Sequence, residues 1–86
     1  MFDQAKYIIV ESNGLEMPIV FASLLKHKEV AGARKVVAAG FVFFRHGHGG
    51  EETNMVAECF GMSTSLEISS RPGIDDKLIE RFILQE

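Results

Sequence analysis

An α+β domain with a four-stranded antiparallel sheet and an amphipathic C-terminal helix on one face is predicted for this chain of 86 residues by three observations. Asn13-Gly14 separates two β-rich runs, Val36 to Phe44 is apolar at odd and even positions alike, and Ile74, Leu78, Ile79, Phe82 and Ile83 recur at helical spacing. The implied order is two β-hairpins with a short helix between them and a helix at the end. The length allows one domain over 1–86, burying roughly 60–65% of the surface of the unfolded chain. A composition of 47% hydrophobic and 24% charged residues excludes wholesale disorder.

The first hairpin joins Tyr7 to Ser12 and Leu15 to Phe21, because Asn13 and Gly14 tolerate the positive φ of a type I′ turn. Counting outward pairs Val10 with Met17 and Ile8 with Ile19 on the face expected to be core, and Glu11 with Glu16 and Tyr7 with Val20 on the other. Pro18 lacks an N–H, which makes the second strand an edge. Ser23 is the expected cap of a short helix from Leu24 to about Ala31, with Gly32 as its stop. Lys35 to Arg45 is the doubly apolar strand, buried on two faces.

A polar loop, Arg45 to Asn54, follows, and Met55 to Ser69 reads as one strand bent at Gly61. The last helix opens at Ser69-Ser70-Arg71-Pro72, with Asp75 and Asp76 complementing its positive end. Asp75, Asp76, Lys77, Glu80 and Arg81 are expected to face water.

Association follows from packing. One helix covers one sheet face, and a phenylalanine-bearing face left open would be a patch that soluble monomers rarely keep. A homodimer or a protein partner is therefore expected, with Val36, Ala38, Val42, Phe44 and Pro18 as interface residues. The alternative is that the short helix and the Phe2 region fold back over that face.

The net charge of -3 argues against a surface that clings everywhere to nucleic acid. Lys26, His27, Lys28, Arg34 and Lys35 nevertheless form a basic cluster, so a nucleic-acid-associated role through Lys26, Lys28, Arg34 and Lys35, with Tyr7 stacking on a base, is the alternative function. The single cysteine, Cys59, sits among apolar residues and reads as a buried thiol in a reducing cytoplasm. The N-terminus has no basic start with a long apolar run, and no stretch reaches the ~20 apolar residues of a membrane span. A cytoplasmic protein without membrane association is expected.

His46 and His48, beside Glu51 and Glu52, are weak metal-ligand candidates on a glycine-rich tether, and a third function class is a metal-dependent activity there. No cofactor is expected: the glycines lack the lysine and helix of a phosphate loop. Ser63, Ser65, His27 and Glu29 have no spacing that fixes a nucleophile beside a base, and Glu11 with Glu16 is a weak acid pair, so no catalytic residue is assigned.

Ala39-Gly40-Phe41-Val42, Gly61-Met62-Ser63-Thr64-Ser65-Leu66, Ser70-Arg71-Pro72 and Asp76-Lys77-Leu78-Ile79 resemble small uncharacterised proteins encoded by phages and prophages. The resemblance covers the C-terminal half and implies no activity or site residue. It implies a protein that works by binding, for instance as an inhibitor of a host system. The expected function is thus a non-enzymatic small binding protein acting through protein-protein interaction.

Overall fold

A computed structural model describes residues 4–46 and 55–84. The strands β1 (Ala5–Ser12), β2 (Leu15–Phe21), β3 (Val36–His46) and β4 (Met55–Phe60) form an antiparallel sheet in the order β2-β1-β3-β4. A short helix α1 (His27–Ala31) joins β2 to β3, and a small ladder of β5 (Met62–Ser63) with β6 (Ile68–Ser69) follows β4. The chain closes with α2 (Ile74–Ile79) and a π-helical turn, Glu80–Leu84. Among the described residues, no helix is long and apolar enough to cross a membrane.

Asn13 and Gly14 take φ of 56° and 80°, and the two-residue turn sets Val10 opposite Met17 and Glu11 opposite Glu16. Both faces of β1 are buried, however: Tyr7 and Ile9 are as inaccessible on one side as Ile8 is on the other. The expectation that the Ile8 face is the core one falls short because both faces are covered, one by Leu78 and Ile79 and the other by Val30, Ala31 and Ile68. Tyr7 is fully buried and has no face to offer a base.

A bulge opposite Ile9 and Val10 shifts the register of β3. It places Val37 and Ala38 in the same core cluster, with Tyr7, Ile9, Val42, Ala57, Cys59 and Ile79, and sends Val36 to the cluster of Ile8, Ala31 and Ala39. Val36 therefore does not share a face with Ala38, Val42 and Phe44. Helix α2 covers the first cluster through Leu78 and Ile79, and α1 and β6 cover the second through Val30, Ala31 and Ile68. The face expected to await a second copy is thus packed from within the chain. Ala38 and Val42 have no exposed surface and are core, not interface.

Two C-terminal expectations change. Met55 to Ser69 is not one bent strand, because Gly61 breaks it with φ of 79°, and a Cβ there would stand 2.9 Å from the Phe41 ring. The helix starts later than Ser70, after Gly73, and is short. Its stripe buries Ile79 and half-buries Leu78, while Ile74, Phe82 and Ile83 remain exposed. The short first helix is also trimmed: it begins at His27, where the Glu29 carboxylate accepts the Lys26 backbone N–H at 2.9 Å, and Leu24 is left 92% exposed.

Asp75 was expected to face water and is instead wholly buried. Its carboxylate accepts bonds from the Tyr7 hydroxyl, from the Arg71 backbone N–H at 2.8 Å and from Arg71 Nε at 2.9 Å. Arg71 reaches on to Glu16 of β2 at 2.8 Å, which holds the Glu16 carboxyl below the usual range. One buried charge thereby fastens the approach to α2 onto both β1 and β2. Burial, and then the Asp75 bond, push the Tyr7 phenol far above its ordinary value.

The two sheet edges are treated differently. On β2, counting from the turn leaves Ile9 and Pro18 as a pair without ladder bonds, so the missing N–H falls on the outer side. On β4, the outward N–H groups of Ala57 and Cys59 donate to Glu80 at 3.0 Å and Asp76 at 3.1 Å. The spacing of Asp76 and Glu80, one helical turn, matches alternate residues of the strand. Burial and the neighbouring Asp76 raise the Cys59 thiol pKa well above normal.

Three outcomes are expected. Asp75→Ala should lower the unfolding free energy by about 3–5 kcal/mol, since it leaves the buried Tyr7 hydroxyl and the Arg71 backbone N–H without their acceptor, and Tyr7→Phe by about 1–3 kcal/mol, both read by urea titration. Asp76→Ala with Glu80→Ala should cost about 1–3 kcal/mol and increase self-association in light scattering, because two edge donors are released. Finally, the unfolded chain ionises its thiol near 9.0 and its phenol near 10.0, whereas the folded chain keeps both protons. The unfolded state then binds fewer protons above about pH 9, so Tm should fall from there upward, and Cys59→Ala should move the onset toward about pH 10.

Candidate functional site

On the α1 side of the sheet, alternate residues of the paired strands place rings in one row. Phe21 meets His27 edge-on at 5.5 Å between centroids, His27 meets Phe41 at 5.7 Å, Phe41 stacks on Phe60 at 5.7 Å, and Phe43 meets Phe60 at 5.8 Å. Such edge and offset contacts add to the energy of burial and fix each ring by its neighbours. The row runs from the covered half of the sheet to the ribbon formed by β3 and β4 alone, where Phe43 pairs with Glu58 and Arg45 with Val56. The row surfaces at Phe60, which lies opposite Phe41 and is 37% exposed. Arg45 and Glu58 form an ion pair at 2.6 Å beside it.

His27 is the anchor of this row. Although 4% exposed, it is not unsatisfied, because Nε2 donates to the Gly40 carbonyl at 2.7 Å. Gly40 lies opposite Tyr7 of β1 in the sheet, and the His27 bond is made in addition to that pairing. Gly40 admits no side chain: a Cβ would lie 2.6 Å from the Phe60 carbonyl oxygen and 3.0 Å from Ser70 Cβ. Ser65 Oγ accepts the Lys28 backbone N–H at 3.3 Å and lies 3.3 Å from Ser63 Oγ, docking α1 against the turn between β5 and β6.

Between α1, β1, β3 and that turn lies a cleft of about 430 Å³, lined by Lys6, Lys26, His27, Phe41, Met62, Thr64 and Ser65. Lys6 Nζ is held at its rim by the Leu25 carbonyl at 2.9 Å. Among the described residues, no carboxylate lines it.

The residues singled out by sequence are dispersed. Of the basic cluster, Lys26 lines the cleft, but Lys35 pairs with Glu11 at 2.6 Å and Arg34 Nη1 donates to the carbonyls of Val30 and Ala31 at the end of α1. The cluster therefore does not form one phosphate-facing stripe. Glu11 and Glu16 are cross-strand partners, yet each has its own cation, Lys35 and Arg71, so they are not an acid pair sharing a proton. His27 Nε2 is committed to Gly40 and Ser63 Oγ to the Leu66 N–H at 3.1 Å, which leaves no nucleophile beside a base in this set. His46 ends β3 opposite Met55, whereas His48 and the loop 47–54 lie outside the described residues. Among the described residues, no group of three or more acidic, histidine or cysteine side chains could hold a metal.

Sequence reasoning missed Phe41, Phe60, Met62, Lys6 and Thr64. One signal was available for Phe60: it shares strand parity with Glu58, the polar residue of that stretch, so a large ring there stands on a half-open face. No family model matches the chain, and no curated protein or solved structure matches it either.

Proposed function

We propose that this chain is a small non-enzymatic binding protein that acts by protein-protein interaction, using the open end of its aromatic row. The observation that carries the reading is the 37% exposure of Phe60, a ring held between those of Phe41 and Phe43. Aromatic and methionine side chains are enriched in interfaces because they bury much area while losing few rotamers. Here the stacking of Phe60 on Phe41 removes part of that loss before any partner arrives. The Arg45 and Glu58 pair supplies a polar rim. The other surfaces weighed are poorer candidates: β4 has its edge donors occupied, β2 carries Pro18, and the α2 face of the sheet is closed.

The test compares the wild-type chain with Phe60→Lys and, as control, Leu24→Ser, whose residue is 92% exposed away from the row. Each is first shown to fold by circular dichroism, then used to capture partners from the cells that make it. A protein retained by wild type and Leu24→Ser, and reduced at least about tenfold by Phe60→Lys, supports the reading, since a buried aromatic hot spot is worth about 2 kcal/mol or more. Equal capture by all three overturns it.

A further inference from the structure

We propose that the cleft between α1 and the turn from β5 to β6 is a binding site for a compact organic oxyanion, a carboxylate or phosphate monoester attached to an apolar body. The proposal rests on the cleft alone and stands or falls separately from the protein-binding reading. Its volume of about 430 Å³ lies in the range of small-ligand sites, which are typically roughly 300–1,000 Å³. The lining divides into two chemistries. Lys6, Lys26, Thr64 and Ser65 offer N–H and O–H donors, whereas Phe41 and Met62 offer apolar surface.

The sign of the lining is opposite to that of the molecule. The chain carries a net charge of -3, yet among the described residues no acidic side chain lines the cleft, and several of the acids are paired elsewhere in the fold. Glu11 is paired with Lys35, Glu16 and Asp75 with Arg71, Glu58 with Arg45, and the Glu29 carboxylate bonds the Lys26 backbone N–H. Lys26 Nζ makes no ion pair or hydrogen bond among the described residues, and Lys6 Nζ, with one proton given to the Leu25 carbonyl, keeps two donors. A cleft with two ammonium groups and low-dielectric walls concentrates an anion there.

The walls are also fixed before a ligand binds. Lys6 is positioned by the Leu25 carbonyl and its place in β1, Ser65 by the Lys28 N–H, and Phe41 by His27 and Phe60 on either side. Donors held in this way lose little freedom on binding. The pairing of charge with an aromatic wall selects an oxyanion joined to a ring or alkyl group over a free inorganic ion.

The experiment titrates isotope-labelled full-length protein with phenyl phosphate, phenylacetate, inorganic phosphate and benzyl alcohol at constant ionic strength, followed by amide chemical shifts. Saturable shifts at Phe41, Thr64 and Ser65 are expected with phenyl phosphate or phenylacetate below about 10 mM, the range of fragment-sized ligands. Inorganic phosphate and benzyl alcohol should bind at least about tenfold more weakly, because each satisfies one wall only. Lys6→Gln with Lys26→Gln, checked for an unchanged spectrum away from the cleft, should weaken binding at least about tenfold. Leu15→Ser, at an exposed residue outside the lining, should not. No saturation by either organic anion, equal binding of benzyl alcohol or inorganic phosphate, or full binding by the double variant overturns the proposal.

Discussion

The buried carboxylate of Asp75 is the constraint on which the two-layer arrangement depends. A charge without solvent is tolerated only where donors replace water, and three do so here: the Tyr7 hydroxyl, the Arg71 backbone N–H and Arg71 Nε. Because Tyr7 belongs to an interior strand and Arg71 also reaches Glu16 on β2, satisfying this one group fixes where α2 starts and how it crosses the sheet. Ile79 then falls over Ala38, Val42, Ala57 and Cys59. An apolar stripe alone would permit sliding along a smooth face. The carboxylate does not, since a shift of one residue would leave three buried polar groups unpaired.

From that placement the treatment of the edges follows. With α2 fixed, Asp76 and Glu80 lie beside β4 and accept its outward N–H groups. The helix therefore covers a face with its apolar side and closes an edge with its acids. The opposite edge is protected more simply, by the proline in β2. Both are recognised answers to the tendency of free strands to pair with other chains. On β4, Phe60 stays at the surface in contact with the Phe41 and Phe43 rings.

The proposed recognition surface and the cleft meet at Phe41. Phe41 is stacked on Phe60 and also walls the cleft, which the exposed Met62 borders. His27 contributes to both, through its bond to the Gly40 carbonyl and its edge contact with Phe41. The break of β4 at Gly61 brings that glycine against the Phe41 ring. A lone apolar residue on the surface would mean little, whereas Phe60 is held by two neighbouring rings.

By itself the sequence determined what neighbouring residues can settle. Asn13-Gly14 specified a hairpin and its register, because backbone sterics at two residues decide it; the unbroken apolar run from Val36 to Phe44 specified a strand covered on both sides; and the spacing of Leu78 and Ile79 specified a helix against the sheet. Tertiary structure alone decided the rest. Asp75 looked like a solvated helix residue because periodicity treats charge as exposure, whereas its partner, Tyr7, stands 68 residues away. The bulge that separates Val36 from Ala38 arises from pairing with β1, which no local pattern records. The cleft gathers Lys6, Lys26, Phe41 and Thr64 from four separate stretches, none distinctive alone. Local chemistry fixes conformation over a few residues; burial, edge closure and the sharing of donors are properties of contacts between distant ones, and these decide which charges are core and which face a ligand.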